Sequence, residues 1–239
     1  MGAGSESIPN LPESHPEAGA LPLPLPLPLP LPEVIVQQVH LPAGVAGPTE
    51  ISFDVRCFVL PVSGGIVLID TGMGGSAMDI NQALERLGAG WGDVSDVVLT
   101  HAHADHVGGL DDVLSRVGDA LLWAGEAELS ALPSHARAAA DGASIRGLRV
   151  IHTPGHTQGH ISLLQESDGL LFVGDAVGTM NGVMVRPPAP FTADPVEAEE
   201  SLRKLTEVSH NRMLFSHGAE ISDANARLSA FLELPSSLS

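Results

Sequence analysis

The hydrophobic positions sort most of the chain into strand-like runs and helix-like repeats. Ile51–Leu60 and Ile66–Asp70 are β-rich runs on either side of the turn signal Ser63-Gly64-Gly65, and both are predicted strands. From Ser76 to Leu87 the apolar residues Ala77, Ile80, Ala83, Leu84 and Leu87 recur at helical spacing, and Gly88 closes the segment. Asp96–Thr100 reads as a buried strand and Gly109–Val117 as a short helix. Ala120–Trp123, Leu148–His152, His160–Gln165 and Leu170–Gly174 are further strands, the last two flanking the hairpin turn Glu166-Ser167-Asp168-Gly169. Asp194-Pro195-Val196-Glu197 combines a cap, a first-position proline and an acidic third residue, which starts a helix running to about Val208. Met213–Ser216 is then a strand and Ser222–Leu232 a final helix. Two sheet halves with helices outside predict a layered α/β fold, and no solenoid-like repeat is present.

Residues 1–33 follow neither pattern. They are rich in Pro, Ser, Glu and Ala and hold six consecutive Leu-Pro pairs from Leu21 to Pro32. Proline at every second position removes helix donors and fixes φ near the polyproline value, so a disordered, semi-rigid extension is expected ahead of one domain spanning 34–239. A polyproline ligand for an aromatic-lined groove is the sharper reading. Twelve proline-broken residues cannot span a bilayer as a helix, and no Lys or Arg precedes Arg56 to form the charged start of an export signal.

Composition narrows the partners. The 239 residues are 44% apolar, enough for a sizeable core, yet 11 Lys+Arg face 29 Asp+Glu, a net charge of −18. Such a surface repels phosphate backbones and anionic leaflets, so neither nucleic acid nor membrane is expected as a partner. Cys57 is the only cysteine, which excludes an intrachain disulfide and a thiolate-rich metal site, and a cytoplasmic location is the default expectation. Histidine is abundant instead, with eleven copies against a single lysine.

Six residues carry the strongest chemical signal. His101-Ala102-His103-Ala104-Asp105-His106 follows the apolar strand Val97–Thr100 directly, placing three imidazoles and a carboxylate where the chain leaves a sheet. These are the nitrogen and oxygen donors that Zn²⁺ and similar divalent ions take. On an extended segment positions 101 and 103 point one way, while 105 and 106 diverge after the turn, so one loop can serve two adjacent ions.

With these residues the chain resembles the metallo-β-lactamase-fold hydrolases, in particular the glyoxalase II-like dinuclear members. Leu68-Ile69-Asp70-Thr71-Gly72, Thr100–His106 with Gly108-Gly109, Thr153-Pro154-Gly155-His156-Thr157, Gly174-Asp175 and Ser216-His217-Gly218 occur in the family's order. The resemblance covers about residues 34 to 232 and implies a four-layer αββα sandwich. It further implies that His101, His103 and His156 hold a first metal ion, Asp105, His106 and His217 a second, and that Asp175 bridges them. Two divalent ions, Zn²⁺ first with Fe or Mn as alternatives, would then generate a hydroxide nucleophile without a serine or cysteine. Asp105 would orient that hydroxide and Asp70 would act on the ligands through a hydrogen bond. In the resembling motif only the first of His156 and His160 ligates, so His160 is expected to pack or hydrogen-bond.

The substrate is less sharply defined. An aspartate bridge disfavours β-lactam hydrolysis, His103 stands where flavodiiron proteins have glutamate, and the absence of tyrosine disfavours the lactonase branch. Only 22 residues follow His217, against the helical substrate region expected of glyoxalase II. The segment Gly178–Ala193 is expected to wall the cleft, with Met180, Met184 and Phe191 lining an apolar pocket and Arg186 as its anion-binding group. A small ester, thioester or lactone with an apolar part is the expected small-molecule substrate. Two other classes stand beside this one: a mononuclear iron enzyme resembling persulfide dioxygenases, and a catalytically silent metal-binding interaction protein. A homodimer is compatible with all three.

Overall fold

A computed structural model describes residues 1–2, 31–45 and 48–234. The prediction for the Leu-Pro tract therefore lies outside the described residues up to position 30. Among the described residues, one sheet orders six strands as β1 (Glu33–Leu41), β2 (Ile51–Val62), β3 (Gly65–Ile69), β4 (Val94–Val98), β5 (Leu121–Ala124) and β6 (Arg137–Ala138). On its outer face lie α1 (Ala77–Arg86), the one-turn α2 (Ala104–Val107) and α3 (Leu110–Leu114). The second sheet contains β7 (Ser144–Ile145), β8 (Leu148–His152), β9 (Ile161–Gln165) and β10 (Leu170–Phe172). A separate ribbon, β11 (Gly178–Met180) with β12 (Val183–Val185), precedes β13 (Arg212–Leu214), which closes the second sheet beside β10. Helices α4 (Pro195–Thr206) and α5 (Ala224–Leu232) cover that sheet.

The layering follows from the two-residue period of the strands. Phe58, Leu60, Val67 and Ile69 face the second sheet, where Leu163, Leu170 and Phe172 meet them. Their neighbours Cys57, Val59, Ile66 and Leu68 face outward onto Ile80, Ala83 and Leu84 of α1 and Val113 of α3. On the far side Leu164, Leu171 and Val173 pack under Leu202 and Leu205 of α4 and Leu228 of α5. Three apolar interlayers between four layers make the αββα sandwich.

Strand β1 is the main element the hydrophobic pattern missed. Its apolar residues are interrupted by Gln37-Gln38 and it abuts the proline tract, yet it pairs antiparallel with β2 from Glu33↔Val59 to Leu41↔Ile51. Glu33, placed in the tail by composition, is its first residue and accepts a 2.7 Å hydrogen bond from Arg86 on α1. No helix among the described residues is long and apolar enough to cross a membrane.

Strand direction positions the chemistry. β3, β4 and β5 run parallel in the first sheet, and β8, β10 and β13 run one way in the second. The carboxyl ends of β3, β4, β8, β10 and β13 deliver Asp70, His101, Thr153, Asp175 and His217, and the Ile161 N–H ties the two sheets together there through the Thr100 carbonyl (2.9 Å).

Candidate metal centre

Seven donor residues from four loops converge at this rim. Three sets have one donor atom per residue within 4.8 Å of the others: His101, His103 and His156; His101, His106 and Asp175; and Asp105, His106 and His217. Asp175 lies among them, with Oδ1 3.2 Å from His106 Nε2 and Oδ2 3.1 Å from His217 Nε2 and 3.4 Å from His156 Nε2. Asp105, on the one-turn α2, approaches His217 Nε2 at 3.5 Å and His106 Nε2 at 3.8 Å. His101, His106, His156 and Asp175 are buried, whereas His103, Asp105 and His217 are partly open to solvent.

The ring orientations are set from behind. Asp70 sits just past β3 with φ 58°, a left-handed conformation that aspartate tolerates better than most residues. Its carboxylate accepts the Thr100 N–H (2.7 Å), the Thr100 hydroxyl (2.8 Å) and His106 Nδ1–H (2.8 Å). The Thr100 hydrogen is thereby committed, so its oxygen accepts from His101 Nδ1 at 3.1 Å. His217 Nδ1–H donates to the Asp54 carbonyl at 2.6 Å. For His101, His106 and His217 these bonds place a proton on Nδ1 and turn Nε2 toward Asp175, with His217 Nε2 3.1 Å from its Oδ2. His101 Nε2, His106 Nε2 and Asp175 Oδ1 are buried without a hydrogen-bond partner. Buried orphan lone pairs are costly, and their convergence fits a divalent cation.

The electrostatics agree. Burial opposes charge on His106, yet the Asp175 and Asp70 carboxylates hold it well above the usual histidine value. Burial likewise opposes ionisation of Asp175, while His217 and His106 hold its carboxyl well below the ordinary range. For His101 burial, reinforced by the neighbouring His106, outweighs the pull of Asp175 and pushes the ring well below the usual value. The rim thus pairs acceptors with rings that either carry a proton or offer a bare lone pair, and a cation competes with those protons.

His160 is a positioning residue. Its Nδ1 contacts the Thr153 hydroxyl at 2.8 Å, and its Nε2 accepts the Asp175 N–H at 2.9 Å. Burial, reinforced by His156, lowers it to about 3, consistent with a neutral ring whose one lone pair is already used. Gly174, with φ 53°, makes this possible, because a Cβ there would lie 2.5 Å from His160 Nε2.

Two functional residues carried no motif signal. Glu128 is buried, and its two carboxylate oxygens accept the Ala102 N–H (3.0 Å) and the Gly159 N–H (2.8 Å), clamping the loop of His101–His106 to the loop of His156. Asp54 supports the third loop, accepting the Gly218 N–H at 2.9 Å beside its carbonyl bond to His217. Periodicity is blind to both, since each acts on backbone distant in sequence.

Of the four residues expected to line the substrate pocket, the structure brings one to it. Phe191 borders a cleft of about 420 Å³ beside His103 and His156. Met184 is instead buried in the layer under α4 and α5, because β12 turns it inward. Met180 ends β11 largely exposed and does not line the cleft. Arg186 is also displaced from the expected role: its Nε donates to Glu199, and its guanidinium stacks 4.3 Å from the Phe231 ring.

The family model for the metallo-beta-lactamase superfamily matches residues 53–217. The chain belongs to the metallo-beta-lactamase superfamily. Within it, the probable metallo-hydrolase YflN of Bacillus subtilis is 32% identical over 220 residues, covering 72% of this chain and 82% of that protein. A hydroxyacylglutathione hydrolase of Cereibacter sphaeroides is 35% identical over 158 residues, covering 64% of this chain but only 58% of that enzyme. Among solved structures, the metallo-beta-lactamase family protein TTHA1429 from Thermus thermophilus superposes with a TM-score of 0.61 at 22% identity, covering 82% of this chain and 78% of that one. This superfamily fold and the clustered donors together imply divalent metal binding at the rim.

Proposed function

We propose that the protein is a dinuclear metal-dependent hydrolase that cleaves the acyl C–O or C–S bond of a small ester, thioester or lactone. The carrying observation is the convergence of buried, partnerless His101 Nε2, His106 Nε2 and Asp175 Oδ1 at one rim. His101, His103 and His156 would hold one ion, Asp105, His106 and His217 the other, with Asp175 between them. An all-nitrogen and oxygen donor set suits Zn²⁺, with Fe or Mn as competitors. When bound, two such ions lower the pKa of a shared water toward neutrality and polarise a substrate carbonyl.

The chain's own residues do the rest. Asp105, partly open to solvent, orients the attacking water by accepting its hydrogen bond. Asp70, Thr100 and the Asp54 carbonyl hold the imidazoles in one tautomer, so no reorganisation is needed at the moment of reaction. The water oxygen adds to the acyl carbon, the C–O or C–S bond breaks, and the departing alcohol or thiol takes up the proton the water releases. The names of the relatives, a metallo-hydrolase and a hydrolase of hydroxyacylglutathione, support hydrolysis as the reaction class.

Metal analysis of the purified protein is the first test, with two zinc ions per chain expected. One iron per chain, with oxygen consumed when a persulfide is added, overturns the proposal. Asp175→Ala should abolish ester and thioester hydrolysis while leaving the urea midpoint within experimental error of the parent. Undiminished turnover in that variant also overturns it.

A further inference from the structure

The hydrolase reading leaves the acyl group undefined, and the inference drawn from the cleft rests on that reading while specifying its substrate. Ala127, Pro190 and Phe191 give the cleft an apolar wall, Phe191 being 39% exposed on it. Gln158 and Thr192 add polar but uncharged groups. The one formal charge on its lining outside the metal donors is Glu128, held in place by the Ala102 and Gly159 N–H groups.

The missing element is a cationic side chain, although all eleven Lys and Arg are among the described residues. None of them lines the cleft. Eight are engaged in ion pairs: Arg56 with Asp54, Arg146 with Asp96 and Lys204 with Asp141 are examples, and Arg186 with Glu199 is the instance closest in sequence to the cleft wall. Arg186 Nη2 is enclosed away from solvent, out of reach of a ligand. Of the remaining three, Arg137 stacks over Trp123, Arg227 reaches the Gly182 carbonyl, and Arg203 sits in the last turn of α4.

We infer that the cleft selects an uncharged acyl group with an apolar body and discriminates against one bearing a carboxylate or phosphate away from the scissile carbonyl. An apolar chain gains by covering Phe191, Pro190 and Ala127. An amide or hydroxyl on it finds donors and acceptors in Gln158 and Thr192. An anion entering the same space away from the metal donors gives up hydration without a cationic side chain to meet it, faces the Glu128 carboxylate, and approaches a chain of net charge −18. Glutathione thioesters, with two carboxylates on the thiol side, are poor candidates by this argument. The expected substrate has neutral groups on both sides of its ester or thioester bond.

The test uses the metal-loaded protein and three thioesters of one neutral thiol whose acyl chains end in methyl, carboxamide or carboxylate. The neutral pair should exceed the carboxylate by about tenfold or more in kcat/KM, a gap that narrows at high salt. The matching non-hydrolysable amides, titrated by calorimetry, should bind in the same order. Gln158→Arg, at an exposed position of the lining, should raise affinity for the carboxylate amide relative to the methyl amide and so narrow or reverse the order. Equal affinities, tighter binding of the carboxylate amide, or no binding of any amide overturns the inference. If no thioester of either charge turns over, the hydrolase reading falls, and the amide affinities still decide this one.

Discussion

The layer between the two sheets and the rim above it are made by the same strands, yet they follow opposite rules. The layer is built on apolar side chains, from Phe58 and Leu60 to Phe172 and Leu214, with Asp96 as a buried polar exception tied to Trp123 and Arg146. One to three residues further along those strands, burial continues but the side chains become Asp70, Thr100, His101, Asp175 and Ser216. The layer gains from removing hydrocarbon from water. The rim gives part of that up to hold lone pairs in fixed directions. Stability and chemistry are therefore stored in adjacent but separate residues, and substitutions should separate them. The largest effect on stability is expected from Phe172→Ala, which opens a cavity where Phe172 meets Phe58 edge-on at a 5.1 Å centroid distance. Urea unfolding should show a loss of about 3–5 kcal/mol. Metal content per folded chain should be unchanged, and a fall in metal content at that loss would break the comparison.

Rim substitutions should do the reverse. Asp70→Asn keeps the shape but turns a carboxylate that accepts three donors into a neutral amide. Metal affinity by chelator competition should fall about 10–100-fold. The unfolding midpoint should move far less than for Phe172→Ala. Glu128→Gln is expected to be milder, because one carbonyl oxygen still accepts Ala102 or Gly159 while the NH₂ opposes the other N–H. A stability loss of about 1–3 kcal/mol is expected from the unmade bond. Metal affinity should then fall by less than for Asp70→Asn, and a larger fall would make Glu128 more than a clamp.

The contrast also explains what the sequence could reveal. The layer was legible because Leu148–His152, Ile161–Gln165 and Leu170–Phe172 are short β-rich runs bounded by turn signals, and such runs are strands buried on both faces. The donors were legible because all seven lie in short motifs, and the structure brings those seven positions together. The residues behind them were not. Asp70 was signalled by its place at a strand end, but Glu128, Thr100 and Asp54 act through backbone N–H groups, a hydroxyl and a carbonyl, which no residue type advertises. The cleft wall was misread for a related reason: periodicity does not say which way the short ribbon Gly178–Val185 turns. Met184 went to the core, and Arg186 to Glu199, which lies on a helix later in the sequence.

The smallest effect tests the comparison most finely, because it removes one oxygen. Thr100 Oγ1 donates to Asp70 at 2.8 Å and accepts from His101 Nδ1 at 3.1 Å, so one hydroxyl carries the influence of Asp70 to a second ring. Thr100→Val is nearly isosteric and leaves Asp70 its other two donors, the Thr100 N–H and His106 Nδ1. The buried Nδ1–H of His101 would then have no acceptor, which favours moving the proton to Nε2 and withdraws a lone pair from the centre. About 1 kcal/mol of stability should be lost, with metal affinity lower by about three- to tenfold. Imidazole ¹⁵N spectra of the metal-free protein should show His101 protonated at Nε2 in the valine variant and at Nδ1 in the parent and in Thr100→Ser. If valine leaves both the tautomer and the metal affinity unchanged, the hydroxyl does not orient the ring. The rim would then owe its geometry to packing, as the layer below it does.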